Sequence, residues 1–301
     1  MKQKMYSYSA YGLGIRCAIP LPNLIESDAP ADVVMRFGQA KPINPIAENA
    51  GLSLQFSDNK AFFFYRGLGS GEAIAGREII GTPEEGLHEG LMSFLAQGPG
   101  LSVLLHQRGY LTLHASCVKI GNRAAAFMGD SGTGKSTIAA ALHIKGHAVV
   151  SDDVTVINSS TRELEAYPGY PGLHLLPDGA DHFRDQLGKP EKEDADDPKF
   201  KFSARTGFPK VPVPIGRIYL LSDGPDLQIS SVSRPRAVYE LVKHSYWIRF
   251  MQNFRPSSYF LQCAELCSRI PIVTLRRARI VSALGEIAET VEKDFLDSTR
   301  A

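Results

Sequence analysis

The stretch Gly129-Asp-Ser-Gly-Thr-Gly134-Lys135-Ser136 matches G-x-x-x-x-G-K-[ST] at every fixed position. Glycines let the backbone curl so that several N–H groups face one concavity, where no Cβ blocks a phosphate. A helix opening near Lys135 would point its positive dipole end at the same phosphates. Lys135 is expected to reach the β- and γ-phosphates, and Ser136 to set its hydroxyl on Mg²⁺. Gly129, Asp130, Ser131, Gly132, Thr133, Gly134 and Thr137 complete the expected cradle, so ATP and Mg²⁺ are the expected ligands. A second element is Asp152-Asp153, at the end of an apolar run Ala148-Val-Val150. Carboxylates ending the strand beside such a loop serve Mg²⁺, directly or through water. Two of them can divide the labour, one orienting the metal and one accepting a proton from an attacking hydroxyl. A Gly-rich turn without a ligand, and an Asp pair that only caps a turn, are the bland alternatives.

These residues need elements to hold them. Ala124-Ala-Ala-Phe-Met128 reads as a buried strand, Thr137 to Lys145 as a helix ended by Gly146, and Ala148 to Ile157 as strand, Asp pair and strand. Strand, glycine loop, helix, strand is the order of a P-loop unit. Leu111 to Ile120 alternates like a strand and carries His114, which by itself reads as an ordinary core or surface histidine. Downstream, Tyr167 to Lys210 reads as loop-rich, and the charged run Pro190 to Lys201 as a mobile surface segment. Ile218–Leu221 and Ile272–Leu275 read as strands, and Pro235 to Met251 and Ser257 to Arg269 as helices. Val281 to Phe295 is expected as a closing helix with Leu284, Ile287, Val291 and Phe295 on one stripe. Arg276, Arg277 and Arg279 form a basic run that could meet a phosphate or an acidic substrate but reads more readily as a solvated face, and His143 and His147 read as structural or solvated. Upstream, short β-rich runs (Ala31–Phe37, Leu52–Phe56, Ala61–Arg66) are separated by Gly, Pro, Asn and Asp, and Glu85 to Gln97 reads as a helix. Residues 1–98 are therefore expected as a small, mostly antiparallel β domain with a terminal helix, and 99–301 as an α/β catalytic domain, the boundary falling near Gln97–Gly100.

Composition narrows the class. The 301 residues hold 33 basic and 32 acidic side chains, a balance unlike that of proteins that grip nucleic acid through its phosphates. No window reaches the roughly 18 apolar residues of a membrane span, and no apolar run follows the first lysines as in a secretory signal. Of the four cysteines, Cys17 and Cys117 stand alone and Cys263 and Cys267 lack neighbouring ligands, which fits reduced thiols of a cytoplasmic protein.

From His114 to Val156 the chain resembles the catalytic core of HPr kinase/phosphorylase. That family joins a histidine-bearing strand, a Gly-Asp-Ser-Gly-x-Gly-Lys-Ser loop, a helix ending in a Gly-His turn and a strand ending in Asp-Asp. Here those pieces are His114, Gly129 to Ser136, Gly146-His147 and Asp152-Asp153, in that order. The resemblance implies the P-loop kinase fold shared with phosphoenolpyruvate carboxykinases. It implies that His114 is the active-site histidine and Asp153 the acceptor of the substrate serine's proton, with Lys135 and Ser136 on phosphate and metal. The family's Glu-x-Arg-Gly-x-Gly stretch has no counterpart. Tyr167-Pro-Gly-Tyr-Pro-Gly-Leu-His-Leu-Leu-Pro-Asp178 stands there, with Asp178 as candidate metal ligand in the glutamate's place. The N-terminal region, with Tyr11-Gly-Leu-Gly-Ile-Arg16 and Ile19-Pro-Leu-Pro-Asn23, resembles that of kinases from lasso-peptide biosynthetic clusters, which phosphorylate a serine at the end of a precursor peptide.

The expected reaction is in-line transfer of the ATP γ-phosphoryl group to a serine hydroxyl, with Asp153 taking the proton and Asp152 orienting Mg²⁺ or its waters. The expected partner is a peptide or protein with an accessible serine, with no nucleic acid and no membrane. The resemblance also implies assembly into homo-oligomers. Rivals are a serine kinase/phosphorylase acting on HPr, a nucleotide-gated binding protein without transfer, and a plain hydrolase.

Overall fold

The computed structural model describes residues 4–46, 51–57, 59–159, 162–190, 192–193, 198–246 and 256–300. It is a mixed α/β fold with several sheets. By contacts the chain divides into two compact units, residues 1–112 with 246–259 and residues 113–245 with 260–301. No described helix is long and apolar enough to cross a membrane.

The first unit holds one eight-stranded sheet. Its neighbours are antiparallel except where Val33–Phe37 lies parallel to Leu13–Cys17 on one side and to Glu78–Pro83 on the other. The strands are short, and Val33–Phe37 buries Val33 and Met35 on one face while Arg36 is exposed. Helices His88–Gln97 and Pro99–Gln107 supply the cover, with Leu91, Met92, Leu95, Leu101, Leu104 and Leu105 buried. The break between them falls at Gly98-Pro99, where the sequence places a boundary, and both helices belong to this unit.

In the second unit the strand Arg123–Met128 lies between an antiparallel neighbour, Ala115–Ile120, and a parallel one, Val213–Asp223. Ala148–Ser151 pairs antiparallel with the far side of Ala115–Ile120. On the other flank Ile272–Arg277 runs parallel to Val213–Asp223, and Gln228–Ser231 closes that side antiparallel. Ala124 to Met128 are fully buried, which is why that run is continuously apolar. The helix Lys135–Ile144 follows the glycine loop and packs with the closing helix Leu284–Arg300. Ile138, Leu142, Ile287, Val291 and Phe295 are buried together with Phe127, Tyr219 and Leu275, so the expected stripe is the core face.

Three sequence expectations change here. Tyr167 to Lys210 is not a plain loop: Gly172–Leu175 and Phe200–Ser203 pair antiparallel, and Pro177–Leu187 is a helix with proline in its first turn. The charged run 190–201 is partly structured at both ends, because Lys192–Glu193 pairs with Phe200 and Lys201, while residues 191 and 194–197 lie outside the described residues. The helix expected over Pro235 to Met251 spans Arg234–Lys243, and its expected continuation beyond Tyr246 also lies outside them. All four cysteines are free thiols, and burial pushes Cys117 up to about 12.

Candidate active site

Strand direction gathers the chemistry. Ala115 sits opposite Met128, and Cys117 opposite Ser151. The strand after His114 therefore starts where the other two end, and His114 arrives beside the glycine loop and the Asp pair. Val213–Asp223 and Ile272–Arg277 run parallel to Arg123–Met128, so Asp223 and Arg277 end at the same edge. The carboxyl ends of strands in such sheets are where ligands bind.

A cleft of about 150 Å³ opens at this edge, lined by His114, Ser131, Gly132, Gly134 to Thr137, Asp153, His174, Leu176 and Lys199. Asp153 has a φ of +68°, and the Val154 N–H donates to the Asp152 carbonyl at 2.9 Å. That is a γ-turn of the rare hand, a conformation that costs on the order of 1–3 kcal/mol and persists where the surroundings enforce it. His114 is part of the enforcement. Its Nδ1 lies 3.1 Å from the Asp153 carbonyl oxygen and 3.4 Å from Asp153 Oδ1. Both partners are acceptors, which assigns the ring proton to Nδ1. Burial lowers the His114 pKa, against the pull of Asp153, so the ring is neutral at pH 7. Lys199 Nζ stands 3.7 Å from the same Oδ1.

Lys135 is buried and donates to the carbonyls of Gly129 at 3.0 Å and Asp130 at 3.2 Å. Burial lowers its pKa, while Asp153 and Asp152 raise it. Gly134, at a φ of +86°, is in the left-handed region, and a Cβ there would also come within 3.1 Å of Arg277 Nη2. Thr133 is buried and its hydroxyl donates to the Asp130 carbonyl at 2.7 Å, so it shapes the loop from inside. Asp130 faces solvent and pairs with Lys243 at 2.8 Å.

The basic run is not uniformly solvated. Arg277 is 4% exposed, lies 3.7 Å from Asp223, and its Nη2 donates to the Thr133 carbonyl. Arg279 pairs with Asp223 at 2.7 Å, and Arg276 donates to Gln228 at 2.8 Å. The parallel strand pairing delivers Arg277 to the underside of the loop, which spacing in sequence does not reveal.

The two metal candidates beyond Ser136 both stand outside the lining of this cleft. Asp152 is 1% exposed and does not line the cleft; Oδ1 accepts from the Ser116 hydroxyl at 2.6 Å and Oδ2 from the His174 backbone N–H at 2.8 Å. Burial pushes its pKa up, but His174 and Ser116 outweigh that and leave it at about 2. Asp152 is a fixed internal anion that ties three elements together. Asp178 is exposed in the first turn of Pro177–Leu187, outside the cleft lining. Among the described residues no three His, Cys, Asp or Glu side chains gather as a metal cluster.

Ser116, His174 and Lys199 stand at this candidate site and were not singled out from sequence, and Arg277, read there as more often solvated than phosphate-bound, braces the loop. Ser116 had a signal, since it lies two positions beyond His114 on a strand whose side chains alternate. His174 and Lys199 had none, being in segments that read as irregular.

No family model matches the chain. No curated protein matches it either. Among solved structures it is similar to the Hpr(Ser) kinase/phosphatase from Coxiella burnetii, at 12% identity over 63% of this chain and 99% of that one, with a TM-score of 0.33. At that level of likeness it is the cleft residues that must carry the functional reading.

Proposed function

We propose that this chain is an ATP-dependent serine kinase with a P-loop core of the HPr kinase/phosphoenolpyruvate carboxykinase type. Its acceptor is the serine of a ribosomal precursor peptide of the lasso type. The observation that carries the reading is that one carboxylate, Asp153, shares a cleft with Ser131, Gly132 and Gly134 to Thr137 of the glycine loop. Backbone N–H groups of the loop and the start of Lys135–Ile144 receive the phosphates. Lys135 leaves the Gly129 and Asp130 carbonyls to meet the β- and γ-phosphates. Ser136 lines the cleft and offers a hard oxygen donor that would suit Mg²⁺. When bound, Mg²⁺ draws negative charge from the β- and γ-phosphates.

Asp153 takes the proton of the attacking hydroxyl. His114 holds the Asp153 backbone and carboxylate through Nδ1, and Asp152 anchors the turn from behind. The acceptor class rests on the N-terminal motifs and on the missing Glu-x-Arg-Gly-x-Gly stretch. Incubation with γ-labelled ATP and serine-ended peptides tests the reading: label on the peptide supports it. Label appearing only as free phosphate favours a hydrolase, and no release favours a binding protein. In Asp153→Asn, ATP binding should persist while transfer falls by about 100-fold or more, the scale of a lost general base. Wild-type transfer in that variant would remove Asp153 from the role.

A further inference from the structure

Lys199 is the cation in this cleft that the reaction above leaves unused. It precedes the strand Phe200–Ser203, which pairs with Gly172–Leu175 in a register that sets His174 opposite Lys201. The backbone N–H of that same His174 donates to Asp152. The strand that follows Lys199 is thus tied by backbone pairing to the segment whose His174 N–H holds Asp152, and the Lys199 ammonium lines the cleft 3.7 Å from the Asp153 carboxylate. With Asp152 enclosed and Asp178 outside, Asp153 is the one carboxylate among the described lining residues. A triphosphate entering this cleft brings about four negative charges, and among the described lining residues the loop side answers with Lys135.

We propose that Lys199 is a catalytic residue that binds the transferring phosphoryl group, giving up Asp153 for an equatorial phosphoryl oxygen as the γ-phosphoryl group transfers. The inference rests on the kinase reading. In the step, the acceptor oxygen forms a bond to the γ-phosphorus while the bond from that phosphorus to the β–γ bridging oxygen breaks. The bridging oxygen leaves with the electron pair as part of ADP. The acceptor's proton passes to Asp153, and Lys199 stays protonated throughout. Its ammonium has two uses: before transfer it offsets the Asp153 charge, and during transfer it offsets charge on the equatorial phosphoryl oxygens. Moving from one to the other also frees the carboxylate to take the proton. Lysine suits this exchange because it is a compact charge on a flexible stem.

The test is Lys199→Met, which keeps the stem and removes the charge, beside Lys199→Arg. Each is titrated with MgATP, and then with MgADP plus aluminium fluoride and a serine-ended peptide, which mimics the transferring group. We expect Lys199→Met to bind MgATP within about threefold of wild type and to lose about 100-fold in affinity for the aluminium fluoride complex, the scale of one lost electrostatic donor. Lys199→Arg should recover at least a tenth of that affinity. An aluminium fluoride affinity in Lys199→Met equal to wild type overturns the assignment. Equal losses for MgATP and the fluoride complex also overturn it, because they indicate a structural role. If wild type binds MgATP but captures no aluminium fluoride beside ADP, the kinase reading itself fails, and this role falls with it.

Discussion

Arg277 shows how much of the loop's shape depends on a residue 144 positions away. Its guanidinium is enclosed, with one arm on the Thr133 carbonyl and Asp223 beside the other. A carbonyl braced in this way fixes the loop backbone whose N–H groups would receive a phosphate. Burial lowers the Arg277 pKa, Asp223 offsets that, and the side chain stays charged. Lysine would keep the charge but lose the planar fork that reaches two partners at once. Arg277→Lys is therefore expected to weaken ATP binding by about tenfold, the worth of one charge-assisted hydrogen bond, with little change in the melting temperature. Calorimetric titration of the variant checks this, and unchanged ATP affinity would mean that the loop holds its shape unaided.

At the scale of elements, the helix Arg234–Lys243 meets the site through its last residues. Lys243 pairs with Asp130, and the carbonyl of the capping residue His244 accepts from the His114 N–H at 2.8 Å. The His244 ring is buried, and burial, with Lys243, Lys135 and His114 nearby, lowers its pKa from the ordinary 6.5 to about 4. The unfolded chain therefore binds the proton first as pH falls. Stability from this group is complete above pH 6.5, declines between 6.5 and about 4, and levels off below. At 1.36 kcal/mol for each unit of pKa, the loss is on the order of 3 kcal/mol. His244→Gln should flatten the pH dependence of urea unfolding over that window. A slope unchanged from wild type would assign the acid sensitivity to other groups, His114 among them.

At the scale of the molecule, the proposed nucleotide site lies within one unit, since every residue lining the cleft falls in 113–245. A ligand that binds only the folded form stabilises it by about 2.7 kcal/mol at one hundred times its dissociation constant. MgATP at that excess should slow amide exchange by about 100-fold in the buried strand Arg123–Met128 and the helix Lys135–Ile144. Amides of Lys60–Tyr65 and Glu78–Pro83, in the other unit, should exchange as before. Equal protection in both units would show that the two unfold as one cooperative body.

What could be read without the fold was local. The glycine loop is legible because turn geometry and phosphate binding both demand glycine, lysine and serine at fixed offsets. The helices and the Leu284 to Phe295 stripe are legible because their signal repeats every turn. Asp152-Asp153 was visible as a pair, but not which carboxylate faces the cleft. That was decided by one left-handed residue, Asp153, and by the burial of Asp152 between Ser116 and His174. Lys199 was invisible as a site residue for the same reason, and Arg277 showed only as one of a basic run that could meet a phosphate or water. Their places follow from strand pairings between distant segments, and a charged side chain carries no mark in sequence of whether it will meet water or a cleft.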